Sequence, residues 1–224
     1  MGVLTTLICF TAAAQTSNLY WFRYFNQLHF NKKWSWQNEF DERRSIQPDH
    51  QRQFIMHSYA NFRLKEKTDL AGGITGSWVT NSKNLTVPEL RFFQSITSKV
   101  ATIGSNEIQV RFRVEERFFH NTDDQRIYLT DGYHFRLRTR YRLQFQRTSN
   151  NQNWAIRISD EIMYHSDNSD AWKFDQNRAY AGLERKLTKQ LRLEVGYILL
   201  HALSNDKIIY SNNLRTTLYH RINL

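Results

Sequence analysis

Residues 107–146 constrain the chain most. From Tyr133 the odd positions are Tyr133, Phe135, Leu137, Thr139, Tyr141, Leu143 and Phe145, and the even ones His134, Arg136, Arg138, Arg140, Arg142, Gln144 and Gln146. Side chains of a strand alternate between two faces, so this segment has one apolar wall and one wall of guanidinium groups. A helix would scatter the same residues around its circumference, with no stripe to bury. The preceding segment repeats the pattern, with Ile108, Val110, Phe112 and Val114 against Gln109, Arg111, Arg113 and Glu115. Both strands are long for a soluble sheet and suit a tilted bilayer crossing, which takes about 9–11 residues.

The alternation recurs along the chain. It predicts strands over 19–30, 34–43, 53–64, 70–81, 89–100, the two central ones, 154–165, 174–187 and 191–202, and a last one ending at Leu224. Short turns (31–33, 65–69, 104–106, 149–153, 188–190) separate them alternately with longer loops (46–50, 82–88, 120–132, 166–173). An up-and-down membrane barrel has this arrangement. The count comes to about eleven, whereas bacterial single-chain barrels have even numbers. The expected fold is therefore all-β, an antiparallel up-and-down transmembrane β-barrel of about 10–12 strands. Trp34, Trp36 and Trp154 fall beside short turns, and Trp78, Phe118, Phe119, Tyr128 and Tyr133 beside long loops, as two interfacial aromatic girdles require.

Composition agrees with a barrel. After residue 14 no apolar run approaches the roughly 18–20 residues of a membrane helix. Mean hydropathy is only −0.66, but a barrel shows lipid just its alternate residues. The net charge of +10 normally suggests nucleic acid. Here the basic residues are spread over strand after strand opposite the apolar face, so no nucleic-acid partner is expected. Residues 1–14 read as a shortened secretory signal: an apolar stretch, then Ala12-Ala13-Ala14 before Gln15. Cys9, the single cysteine, would leave with it, so residues 15–224 form one barrel domain without a disulfide.

Register follows from energetics. An arginine facing lipid at mid-membrane costs roughly 2–4 kcal/mol, so Arg136, Arg138, Arg140 and Arg142 turned outward would cost on the order of 10 kcal/mol. The expected lumen-lining set, candidate for binding or selectivity, is Arg111, Arg113, Glu115, Arg136, Arg138, Arg140, Arg142, Arg157, Glu161, Arg178, Glu184, Arg192 and Glu194. Both signs occur in it, so two states are open: a mutually paired plug, or a basic eyelet that favours anions.

The motifs RFRVEERF (111–118), FRLRTRYRLQF (135–145), DEIMY (160–164), FDQNRAYAGLERKL (174–187) and LRLEVGYIL (191–199) have a further meaning. In them, most strongly over 87–200, the chain resembles a family of uncharacterised bacterial outer-membrane β-barrel proteins, known only as a domain of unknown function. The resemblance implies a barrel fold and an outer-membrane location, and no activity.

No catalytic group, metal site or cofactor is expected. His57, His134, His165 and His220 lie on different strands without the spacing of a zinc site. The segment HSDNS at 165–169 brings a histidine beside serines, but lacks the order and glycine of the outer-membrane phospholipase motif, His-x-Ser-Asn-Gly. A Ser/His pair also needs hydroxyl and base within about 3 Å. Asp123-Asp124 is a poor calcium set. The function read from the residues is an outer-membrane barrel, either a narrow anion-preferring channel or a plugged structural barrel. The alternatives are a lipid hydrolase or a soluble ligand-carrying β-barrel. Its expected partners are outer-membrane lipid and, through the amphipathic C-terminal strand, the barrel-assembly machinery.

Overall fold

The structure, a computed structural model, describes residues 16–167, 171–204 and 207–224. Eleven strands run through them: β1 (Thr16–His29), β2 (Trp34–Ser45), β3 (His50–Lys65), β4 (Thr68–Thr80), β5 (Thr86–Ile103), β6 (Asn106–Thr122), β7 (Leu129–Thr148), β8 (Trp154–Ser166), β9 (Lys173–Lys186), β10 (Leu191–Ser204) and β11 (Lys207–Asn223). Each pairs with its chain neighbour, and β11 closes on β1. The leader expected over residues 1–14 lies outside the described residues.

The barrel differs from the expected one in its closure. In a meander successive strands reverse direction, so an odd last strand runs the same way as the first. The β1–β11 ladder is accordingly parallel, Thr16 beside Tyr210 through His29 beside Asn223. The sheet is mixed, and all eleven strands stand in the wall. Even parity is thus not a requirement of closure: one parallel seam replaces it.

Register fixes the shape. Paired residues lead from Thr16 through Tyr210, His201, Asn177 and Ile162, and onward around the wall to Trp34. The Phe30 amide donates to the Trp34 carbonyl, so the circuit returns at residue 30, 14 residues beyond its start at 16. That stagger over eleven strands tilts them by roughly 45° and sets the backbone about 11 Å from the axis. The lumen is wide enough to need filling by long side chains.

Alternation then sorts the residues. Every strand shows at least one large apolar side chain outward, from Phe22 in β1 to Leu214 in β11. The buried apolar residues, including Trp21, Ile55, Phe93 and Tyr180, point inward. Strands overrun the expected loops. The loop between β6 and β7 shrinks to 123–128, and Phe119, expected in a girdle with Phe118, lines the lumen instead. At the C-terminal strand Tyr219 points in and His220 out, with His220 Nδ1 2.8 Å from the Tyr24 hydroxyl. The alternation that Tyr219 and His220 blur in the sequence is unbroken in the fold.

Candidate functional site: the charged lumen

The inner wall encloses a cavity of about 1150 Å³, with lining residues near the short turns (Gln27, Gln190) and near the opposite rim (Arg52, Thr80). Of the residues expected there, Arg111, Arg113, Arg136, Arg138, Arg140, Arg142, Arg157, Glu161, Arg178, Glu184 and Arg192 line it. Glu115 and Glu194 face the same way but lie behind the arginines, 2% and 0% exposed.

Three ion-pair networks organise these groups. In the first, Glu115 accepts from both Nε and Nη2 of Arg138 and from Arg140 Nη1 at 2.7 Å. Glu161 accepts from Arg140 Nη2 at 2.7 Å and from Arg111, and Arg138 also reaches Asp175 at 3.2 Å. In the second, Glu184 and Glu194 stand opposite each other on β9 and β10, a repulsive pairing in isolation. Arg157 lies between them and bonds both, while Arg192 and Arg215 take their remaining oxygens at 2.9 and 3.0 Å. In the third, Glu89 holds Arg91 and Arg117.

The networks follow the wall. The longest hydrogen-bonded and stacked reaches, Arg157 to Tyr219 and Arg178 to Trp21, span three strands, whereas the opposite wall of an eleven-stranded barrel is five or six away. The charges therefore brace neighbouring strands, and the paired groups do not bridge the lumen. Arg136 stands apart from the networks and pairs with Asp167 near the rim.

Several participants escaped the sequence reading. Glu89, Arg91 and Arg117 alternate with Leu90, Phe92 and Phe118 and were findable by the same rule. Asp175 was hidden by the register shift between Met163 and Tyr164. The aromatic lining carried no signal, because Trp21 sits in a run where both faces are aromatic. Arg43 stacks 3.9 Å from the Trp21 ring, Arg215 3.9 Å from Tyr180 and Arg113 4.2 Å from Phe93. Such stacking holds a guanidinium in place without consuming its in-plane donors.

The remaining candidates are placed as follows. His57 Nδ1 is 2.6 Å from the Thr75 hydroxyl, and His134 stacks on Phe119. His165 lies 3.9–4.0 Å from Asp175 and Asp167, and the Ser166 hydroxyl donates to the Asp167 carbonyl. Asn168 and Ser169 lie outside the described residues. Asp123 accepts from the Ile127 and Tyr128 amides at 2.7 and 2.8 Å. No three metal-ligating side chains converge among the described residues.

A family described as "Protein of unknown function (DUF2490)" matches residues 18–207, from β1 to the first residue of β11. The chain belongs to this family. The arginine-bearing strands β6–β8 and the first and third networks fall within the matched span; the second extends beyond it at Arg215. No curated protein and no solved structure matches the chain.

Proposed function

We propose that this chain is an outer-membrane barrel that passes small anions through a basic lumen. One observation carries the reading: the two faces of a single closed sheet have opposite chemistry all the way round. Every strand presents at least one large apolar side chain outward, and water-soluble monomers rarely show contiguous apolar patches above a few hundred Å². Lipid is the surroundings that such a belt fits. Inward positions carry more guanidinium than carboxylate, so the potential along the axis is positive and favours anions. The ion pairs run along the wall and do not cross the lumen. The parallel seam completes the hydrogen bonding of β1 and β11, as lipid demands of every edge. In this reading β11 is also the strand through which assembly machinery engages the chain.

Single-channel recording in a planar bilayer under a KCl gradient tests it. A reversal potential favouring chloride supports the proposal, and Arg138→Ser with Arg140→Ser should weaken that preference. A wild-type pore selecting potassium, or no conductance at all, overturns it.

A further inference from the structure

The β6–β7 ladder places like charges directly opposite, Arg111 with Arg142 and Arg113 with Arg140. Facing like charges destabilise a sheet, so such a square needs anions. Two carboxylates serve it: Glu161 takes Arg111 and Arg140, and Glu115 takes Arg138 and Arg140. Arg142 is left without any hydrogen-bonded acceptor or ion pair among the described residues. Arg113, only 7% exposed, reaches Glu115 no closer than 3.9 Å. The Nε atoms of Arg111, Arg113 and Arg142 are all buried and unpartnered. Of the five guanidiniums of Arg111, Arg113, Arg138, Arg140 and Arg142, those of Arg113 and Arg142 have no carboxylate within hydrogen-bond reach.

Arg113 and Arg142 are diagonal neighbours on one face, about 7–8 Å apart, and both line the cavity. Two planar donors at that separation can be bridged by one small anion. We propose that a divalent oxyanion, phosphate or a phosphate monoester, binds between Arg113 and Arg142 at this wall. Two negative charges match the two unmatched guanidiniums, whereas a halide or a carboxylate leaves one over. The inference deepens the reading of the lumen as anion-accepting and rests on it for access.

The test titrates inorganic phosphate into the detergent-solubilised barrel at constant ionic strength, chloride replacing it in the control. Calorimetry and thermal unfolding are the readouts. Wild type should bind one phosphate per barrel and show a saturable rise in unfolding temperature that chloride does not give. Arg142→Gln and Arg113→Gln should each weaken binding at least about tenfold. Without phosphate Arg142→Gln should unfold higher than wild type, because it relieves the repulsion with Arg111. Arg185→Gln, on the outer face over Trp154, should change neither. No saturable effect in wild type, or undiminished affinity in both variants, overturns the site. Chloride-selective conductance without phosphate binding sinks the site and spares the pore, and binding without conductance does the reverse.

Discussion

The barrel has two unlike inner walls. Across β6–β8 the inner wall is rich in arginine, and Glu115 and Glu161 hold three arginines through four contacts. Across β2–β4 the inner-wall ion pairs away from the turns are confined to β2, where Asp41 takes Arg43 and Glu39 takes Arg23, and neutral donors hold the rest of the inner wall. Gln53 donates to Ser77 at 2.8 Å, Tyr59 to Glu39 at 2.6 Å, and His57 meets Thr75 at 2.6 Å. The two walls hold their buried groups by different means. Removing one member of a charged network strands its partners, whereas a neutral bond is worth only its small net gain.

Single substitutions expose that difference most strongly. Glu115→Gln removes the negative charge and one of the two acceptor oxygens shared by Arg138 and Arg140 and should cost roughly 3–5 kcal/mol. Gln53→Ala, which loses a bond to Ser77 and one from Arg43, should cost only about 1–2 kcal/mol. Denaturant unfolding in lipid measures both, and equal losses would abolish the distinction between the walls.

On the outside the two regions should be indistinguishable. Phe112 lies behind the charged wall and Met56 behind the neutral one, 38% and 39% exposed. Phe112→Arg and Met56→Arg should each destabilise by roughly 2–4 kcal/mol if their positions lie near mid-membrane. A large loss at Phe112 with none at Met56 would mean that lipid does not reach the back of β3.

The same contrast governed what the sequence made legible. In β7, Phe135 through Phe145 alternate with arginines, so strand, face and register could all be read from one line of residues. In β1 the run Tyr20-Trp21-Phe22 is aromatic on both faces, and nothing local says that Trp21 points in. Strand limits were read closely where turns carry Gly104 or Asn31, and less well where strands overrun polar loops, as at Thr122 and Leu129. Which carboxylate serves which arginine was out of reach, because Arg111 and Glu161 are 50 positions apart and meet only through the barrel's stagger. The parallel seam follows from the odd count, since the first and eleventh strands of a meander run the same way.

On β9 and β10 aromatic packing backs the second ion-pair network. The Tyr180 ring lies over Gly182 and Gly196, which face each other on β9 and β10. A Cβ at either would fall inside van der Waals contact with that ring. Gly196→Ala should therefore displace Tyr180, breaking its 2.6 Å bond to Glu194 and its stacking with Arg215, at a cost of about 1–3 kcal/mol. In the Tyr180→Ala background the same substitution should cost little. An unchanged penalty there would show that the glycines answer to backbone strain and not to the ring.

The smallest expected effect extends the comparison to the rims. Above the neutral wall Asp49 is held by a side chain, with Arg44 Nε and Nη2 at 2.9 and 3.1 Å. Above the charged wall Asp123 is held by the backbone amides of Tyr128 and Ile127. Both carboxyls are thereby kept below the ordinary carboxylate range, Asp49 by the Arg44 bond and Asp123 by the Tyr128 amide foremost. A depressed folded value means that each loop's added stability is complete above the ordinary value, near 3.9. It is lost as pH falls through the lowered one. Salt should separate the two. Screening weakens an exposed ion pair but leaves amide hydrogen bonds in place, so raising salt should move the Asp49 midpoint upward more than that of Asp123. Side-chain carboxyl shifts followed by NMR through the acid range give both midpoints. Equal salt shifts would show that Asp123, too, is held by charge, with Lys83 of the neighbouring loop as the nearest source.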